Sequence, residues 1–97
     1  MHILVAWEIK AEGLYWTKID DTLNEVLKLY PSTKVLPTLH LVRISRWADR
    51  DSVMRTLLRA IEPLGNQVEL LVTPVMDGRY EGYLPDAIWP SINAITG

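Results

Sequence analysis

Residues 2 to 9, His-Ile-Leu-Val-Ala-Trp-Glu-Ile, predict a strand that is apolar on both faces. Ile3, Val5, Trp7 and Ile9 share one side, Leu4, Ala6 and Glu8 the other, so Glu8 alone interrupts the second face. Past Gly13 the period changes. Trp16, Ile19, Leu23, Val26, Leu27 and Tyr30 fall within about a 100° sector at helical spacing, the stripe of a helix laid against a sheet. Thr17 or a neighbour is the expected cap, Asp20 and Asp21 belong to the early turns, and Pro31 stops the helix.

Residues 32–45 are rich in strand formers with Pro37 inside them, which predicts a bend or bulge there and the better strand over 38–44. Leu39 and Leu41 point one way and Val42 and Ile44 the other, so this strand too is apolar on both sides. A second helix runs from Asp49 or Asp51, either one a credible N-cap, to Glu62, with Pro63 and Gly65 ending it. Val53, Met54, Leu57, Leu58, Ala60, Ile61 and Leu64 cover one side of it; Arg55, Arg59 and Glu62 lie opposite. Residues 66–76 read as the third main strand, with Pro74 marking an edge. Met76-Asp77-Gly78-Arg79 reads as a tight turn returning into a short hairpin strand over 79–83. Pro85 opens a last helical segment, which Pro90 limits to one or two turns.

This order predicts one α+β domain, a ferredoxin-like sandwich with an antiparallel or mixed sheet and two helices on one face. Two helices cover one side only. The other side is greasy in three strands, and an open greasy sheet face asks for a partner. The terminal residues Ile88, Trp89, Ile92 and Ile95 are placed to cover part of it, and a second copy of the chain to cover the rest, which makes a homodimer the expected state.

Composition narrows the classes. With 48% hydrophobic and 23% charged residues the 97-residue chain is not a disordered tail. It has no cysteine, which excludes disulfides and thiolate metal sites and permits a reducing compartment. No apolar run is long enough to span a bilayer and no secretory leader precedes the first strand, so a cytoplasmic protein without a membrane partner is expected. The net charge of −2 argues against a general polyanion binder, but the charge is uneven. Arg43, Arg46, Arg50, Arg55 and Arg59 stand against Asp49 and Asp51, whereas after residue 60 Arg79 is the only cation against Glu62, Glu69, Asp77, Glu81 and Asp86.

The pattern resembles a family of small ferredoxin-like proteins, which includes the CRISPR-associated dimeric nuclease-like subunit of spacer acquisition and its SinR-like and VapD-like relatives. The likeness rests on three features. The first strand, HILVAWEI, ends in an acidic residue; KVLPTLHLVRIS is paired with DRDSVMRTLLRAIEPLG; and NQVELLVTPV is followed by a short terminal strand. The resemblance implies a homodimer whose last strand adds to the other protomer's sheet edge, a role for RYEGY, residues 79–83. It also implies a metal or catalytic carboxylate at the end of the first strand. The family has aspartate there after a tyrosine; this chain has Glu8 after Trp7. Glu8 is therefore the catalytic and metal-ligand candidate, with Mg2+ or Mn2+ as the ion, two copies supplying a carboxylate pair, and metal-dependent endoribonuclease activity as the reaction class.

Elsewhere the chemistry is thin. His2 and His40 lack ligand-spaced partners, and His40 fits a half-buried strand with a hydrogen-bonded ring. Ser45, Ser52 and Thr56 form no nucleophile elbow, and the glycines form no phosphate loop. Arg43, Arg46, Trp47, Arg50, Arg55 and Arg59 interleave guanidinium groups with an indole, a pattern that suits RNA or DNA as well as a solvated helix entrance. Two readings follow: a homodimeric, nucleic-acid-associated protein with Glu8 as its metal carboxylate, or a non-enzymatic module that keeps the dimeric fold and meets another protein. Glu8 in place of aspartate and a pI of about 5.6 lean toward the second.

Overall fold

The computed structural model describes residues 1–65 and 67–96; Asn66, the expected first residue of the third main strand, and Gly97 lie outside them. Its elements follow the order β1 (His2–Ile9), α1 (Gly13–Leu27), β2 (Ser32–Leu36), β3 (Leu39–Arg43), α2 (Asp49–Ile61), β4 (Val68–Val72) and α3 (Trp89–Thr96), with short 3-10 turns at Glu62–Leu64 and Asp86–Ile88. The four strands form one antiparallel sheet in the order β2-β3-β1-β4, the β-α-β-β-α-β arrangement of ferredoxin-like folds.

The expected bent strand is two strands. Pro37 and Thr38 form a two-residue turn between β2 and β3, and Thr38 carbonyl accepts from the Trp7 amide at 3.1 Å, which seats the turn on β1. A proline has no amide to give a ladder, so a turn is the position that loses least. The register then slips between Lys34 and Leu36, placing the irregularity two residues earlier than the proline.

Register decides which side chains are buried. β1 pairs Ile3 with Val42 and Val5 with His40 on one side, and Val5 with Val72, Trp7 with Leu70 and Ile9 with Val68 on the other. This face meets α1 and α2, and Ile3, Val5, Leu23, Val53 and Leu57 are fully buried in the resulting core. α1 begins earlier than expected, whereas α2 begins at Asp49 as expected but with Ala48 at its N-cap in place of either aspartate. α1 starts at Gly13, before Thr17, so Asp20 lies mid-helix; it is buried, and its carboxylate accepts from the Trp7 indole N–H at 3.1 Å. α2 starts at Asp49, whose Oδ2 accepts from the amides of Ser45 (3.1 Å) and Arg46 (3.0 Å) and so ties the preceding loop.

The opposite sheet face is covered over β2 and β3 by α3, which buries Leu41 and Ile92. The route there differs from expectation. Residues 79–83 form no strand, although Gly78 does adopt the positive φ expected of the turn. His2 and Met76 exchange backbone hydrogen bonds alongside β1, and then the Tyr80 hydroxyl meets His2 Nε2 at 2.6 Å. That partly buried contact holds the segment to its own chain and carries it across the face instead of back along β4. Over β1 and β4 this face stays open. Leu71 is 66% exposed there, beside the partly buried Ala6 and Leu4, and Glu8 and Glu69 stand opposite each other in register.

Candidate functional site

The residues singled out from the sequence separate onto two sides of the sheet. Glu8 lies on the open face at the end of β1, side chain 70% exposed. Antiparallel pairing puts Glu69 of β4 directly across from it, and like charges so placed repel. Lys10 resolves the repulsion, with Nζ 3.3 Å from Glu8 and 3.5 Å from Glu69. The hydrogen bond to Glu8, then the field of Glu69, raises the Lys10 pKa and holds the ammonium charged. The two glutamates border a shallow depression of about 410 Å³ that Ala6 and Leu71 also line. Glu69 and Lys10 were not singled out from sequence; the signal was the alternation of β4, which places Glu69 two residues before Leu71 on the same face.

As a metal site this group offers hard carboxylate oxygens of the kind magnesium and manganese take, and such ions often use only one or two protein carboxylates. The donor set of one copy is small. Among the described residues no three His, Cys, Asp or Glu side chains gather, and Lys10 competes for the same oxygens.

The arginines have different tasks. Arg50 donates through Nε to Thr73 carbonyl at 2.8 Å and through Nη2 to Val72 carbonyl at 3.2 Å, clamping the start of α2 to the end of β4. Arg46 pairs with Asp49 at 3.5 Å. The carboxyl of Asp49 is held below its ordinary pKa chiefly by the Arg46 amide, then by the Ser45 amide and the Arg46 charge. Arg43 projects to the open-face side, where Nη1 donates to Ala94 of α3 at 3.5 Å. Arg55 and Arg59 remain. Both are exposed on α2, one turn apart, and among the described residues neither has a carboxylate within 4.0 Å. They border a groove of about 520 Å³ with Leu58, Ile61, Glu62 and Val68. Leu58, expected on the packed side of α2, is 45% exposed beside them.

Trp47 does not pack beneath the helix start. It is 69% exposed, beside a cleft with Arg50, Asp51, Pro74 and Val75. The carboxylate candidate is thus on the opposite side of the sheet from Arg55 and Arg59, of which Arg55 donates through Nε to the Asp51 carbonyl at 3.4 Å.

Both histidines are interior. His40 stacks on Trp7 with ring centroids 4.6 Å apart, and its Nε2 meets Asn24 Oδ1 at 3.0 Å, while Asn24 donates to Asp20. Burial, aided by the charge of Lys34 and opposed by Asp20, lowers its pKa to about 4. His2 is also lowered, mainly by burial. Neither has the geometry of a metal ligand among the described residues, and no helix among them is long and apolar enough to cross a membrane.

No protein-family model matches the chain, and no curated protein matches it in sequence. Among solved structures, the chain is similar in fold to Streptococcus pyogenes Cas2, with a TM-score of 0.62 and 13% identity over 78% of this chain and 87% of that one.

Proposed function

We propose that this chain is a Cas2-like homodimeric module that associates with nucleic acid, its copies pairing through the open half of the sheet and presenting α2 outward. The observation that carries the reading is Leu71. A leucine 66% exposed on the open half of the sheet face, on the edge strand β4, while α3 covers the other half, is apolar area that a second copy buries. The fold similarity to Cas2 supports the Cas2-like part of this reading. Pairing there leaves Arg55 and Arg59 of both copies on the outer sides, where two exposed guanidinium groups one turn apart, without a carboxylate partner among the described residues and with only a 3.4 Å bond from Arg55 Nε to the Asp51 carbonyl, suit a phosphate backbone.

The carboxylate assigned to metal-dependent cleavage is Glu8, exposed on the same open face as Leu71. A bound Mg2+ or Mn2+ supplies Lewis-acid polarisation of a phosphodiester; the chain's own share is to hold carboxylates and keep Lys10 at the margin. Lys10 also favours a second reading. An ammonium bridging Glu8 and Glu69 is already a satisfied charge cluster, as a non-enzymatic module that meets another protein would carry.

The test uses pure protein with single-stranded RNA and double-stranded DNA, with and without magnesium or manganese. Arg55→Glu and Arg59→Glu should each weaken binding and flatten its salt dependence. Indifference to both would end the nucleic-acid reading. Cleavage that disappears in Glu8→Ala assigns the chemistry to Glu8; cleavage unchanged in that variant removes Glu8 from it. A dimer that binds neither nucleic acid points to the second reading.

A further inference from the structure

Trp47 is the most conspicuous unexplained side chain in the molecule. An indole is among the costliest side chains to leave in water, yet this one is 69% exposed, and among the described residues it has no aromatic or hydrogen-bonding partner. Its exposure is not that of a loose loop. Asp49 Oδ2 accepts from the amides of Ser45 and Arg46, the Asp49 amide donates to Arg46 carbonyl at 3.0 Å, and the Arg50 amide donates to Trp47 carbonyl at 3.3 Å. The Arg50 side chain then fastens this turn to the carbonyls of Val72 and Thr73. Trp47 is presented outward from a braced turn, the preorganisation that lowers the entropic cost of binding.

The cleft beside it, about 280 Å³, has an apolar wall of Pro74 and Val75 and a polar margin of Arg50 and Asp51. Asp51 is one helical turn beyond Trp47, its side chain 75% exposed, and Arg50 Nη1 lies 3.9 Å from it. Arg55 and Arg59 continue the same four-residue spacing, so Asp51, Arg55 and Arg59 form one ridge of α2 about 12 Å long, with Trp47 at its N-terminal end in the preceding turn.

We propose that the Trp47–Asp51 cleft binds one unpaired guanine base, with the indole as stacking platform and the Asp51 carboxylate reading the edge of the base. Resting on the nucleic-acid reading above, this assigns a base-selective subsite to the same surface. The selection follows from donor and acceptor counts. A carboxylate accepts twice and donates nothing. Guanine presents N1–H and the exocyclic N2–H side by side on its Watson–Crick edge, two donors for two oxygens. Adenine and cytosine set one amino donor beside a ring acceptor, and uracil flanks its single N–H with carbonyls, so each turns at least one lone pair toward Asp51. A base inside a duplex offers neither a free face nor that edge, so the subsite takes single strands, loops or ends. Arg55 and Arg59 then lie along the path of the adjoining phosphates.

The experiment is fluorescence titration of the full chain with guanosine, adenosine, cytidine and uridine 5′-monophosphates. Short single strands with and without one guanine, a matched duplex and a proline-rich peptide complete the series. The expected result is quenching by the guanine ligands, on the order of tenfold tighter than by the others. The Trp47→Phe variant, which keeps a stacking face, should retain much of the affinity while losing the Trp47 signal, so its affinity is read by calorimetry. Trp47→Ala should weaken binding by roughly five- to a hundredfold, and Asp51→Asn should remove the guanine preference while leaving stacking. Equal affinity for all bases, or for duplex and single strand, with Trp47→Ala unchanged, overturns the subsite while leaving binding through Arg55 and Arg59 standing. Quenching by the peptide alone overturns it in favour of a protein ligand, and no binding of any nucleotide or strand overturns both.

Discussion

At the scale of single residues the most consequential arrangement is interior. Trp7, Asp20, Asn24 and His40 form a largely buried polar chain between β1, β3 and α1, and among the described residues the buried His40 Nδ1 has no hydrogen-bond partner. The folded imidazole stays neutral down to about 4, whereas an unfolded one takes up its proton near 6.5. Stability is therefore full above pH 6.5 and falls by about 1.4 kcal/mol per unit as acid moves through that window, roughly 3 kcal/mol in all. His2, also depressed by burial, adds a slope of the same sign. Urea unfolding at several pH values should show His40→Gln with a shallower pH dependence than the parent; equal slopes would place the titration elsewhere. This network was partly legible in sequence. The ring of His40 was expected to be hydrogen-bonded on a half-buried strand, but Asp20 was assigned to an early turn, because the cap of α1 was set at Thr17 or a neighbour and lies at Glu12. With the helix begun at Gly13, Asp20 and Asn24 fall one turn apart beside the Ile19–Leu23 stripe. Glu8 was placed on its correct face by alternation alone. Its neighbours Lys10 and Glu69 depend on strand pairing, which local pattern does not specify.

Among the elements, periodicity located both long helices and the β1 faces, because each buries a single continuous stripe. Proline positions were read less well. Pro37 makes a turn and so adds a strand, and the segment after Gly78 crosses the sheet face instead of pairing, since the Tyr80 contact with His2 competes with an edge ladder. The arginine-rich helix entrance shows the same limit: sequence spacing does not say which guanidinium groups are engaged by backbone. Arg50 is engaged, and its clamp on Val72 and Thr73 is a structural task. Arg50→Met should cost about 1.5 to 3 kcal/mol of stability in urea unfolding, because two strand-end carbonyls lose a charged donor, and Arg50→Lys should restore only part of it. No loss in either variant would mean that water serves those carbonyls equally well.

For the whole molecule, the sheet separates two kinds of surface. One side is closed by α1 and α2 and carries Arg55 and Arg59 outward; the other is half closed by α3 and leaves Leu71 beside Glu8, Lys10 and Glu69. The oiliness of three strands on the helix-free side was legible in the sequence, as was a role for the last helical segment in covering part of it. Which half would remain open was not, because it depends on where the tail crosses. The open strip is bounded by charge, so pairing there must place apolar residues at its centre and leave the Glu8–Lys10–Glu69 cluster at a rim or neutralised. The account therefore turns on Leu71, and sedimentation equilibrium of the parent and Leu71→Glu chains over a range of concentration tests it most directly. The prediction is a parent mass of twice the 11.1 kDa chain, reduced to a single folded chain by Leu71→Glu. A parent that stays at 11.1 kDa at the highest concentration, or a Leu71→Glu chain that dimerises as tightly as the parent, would contradict it.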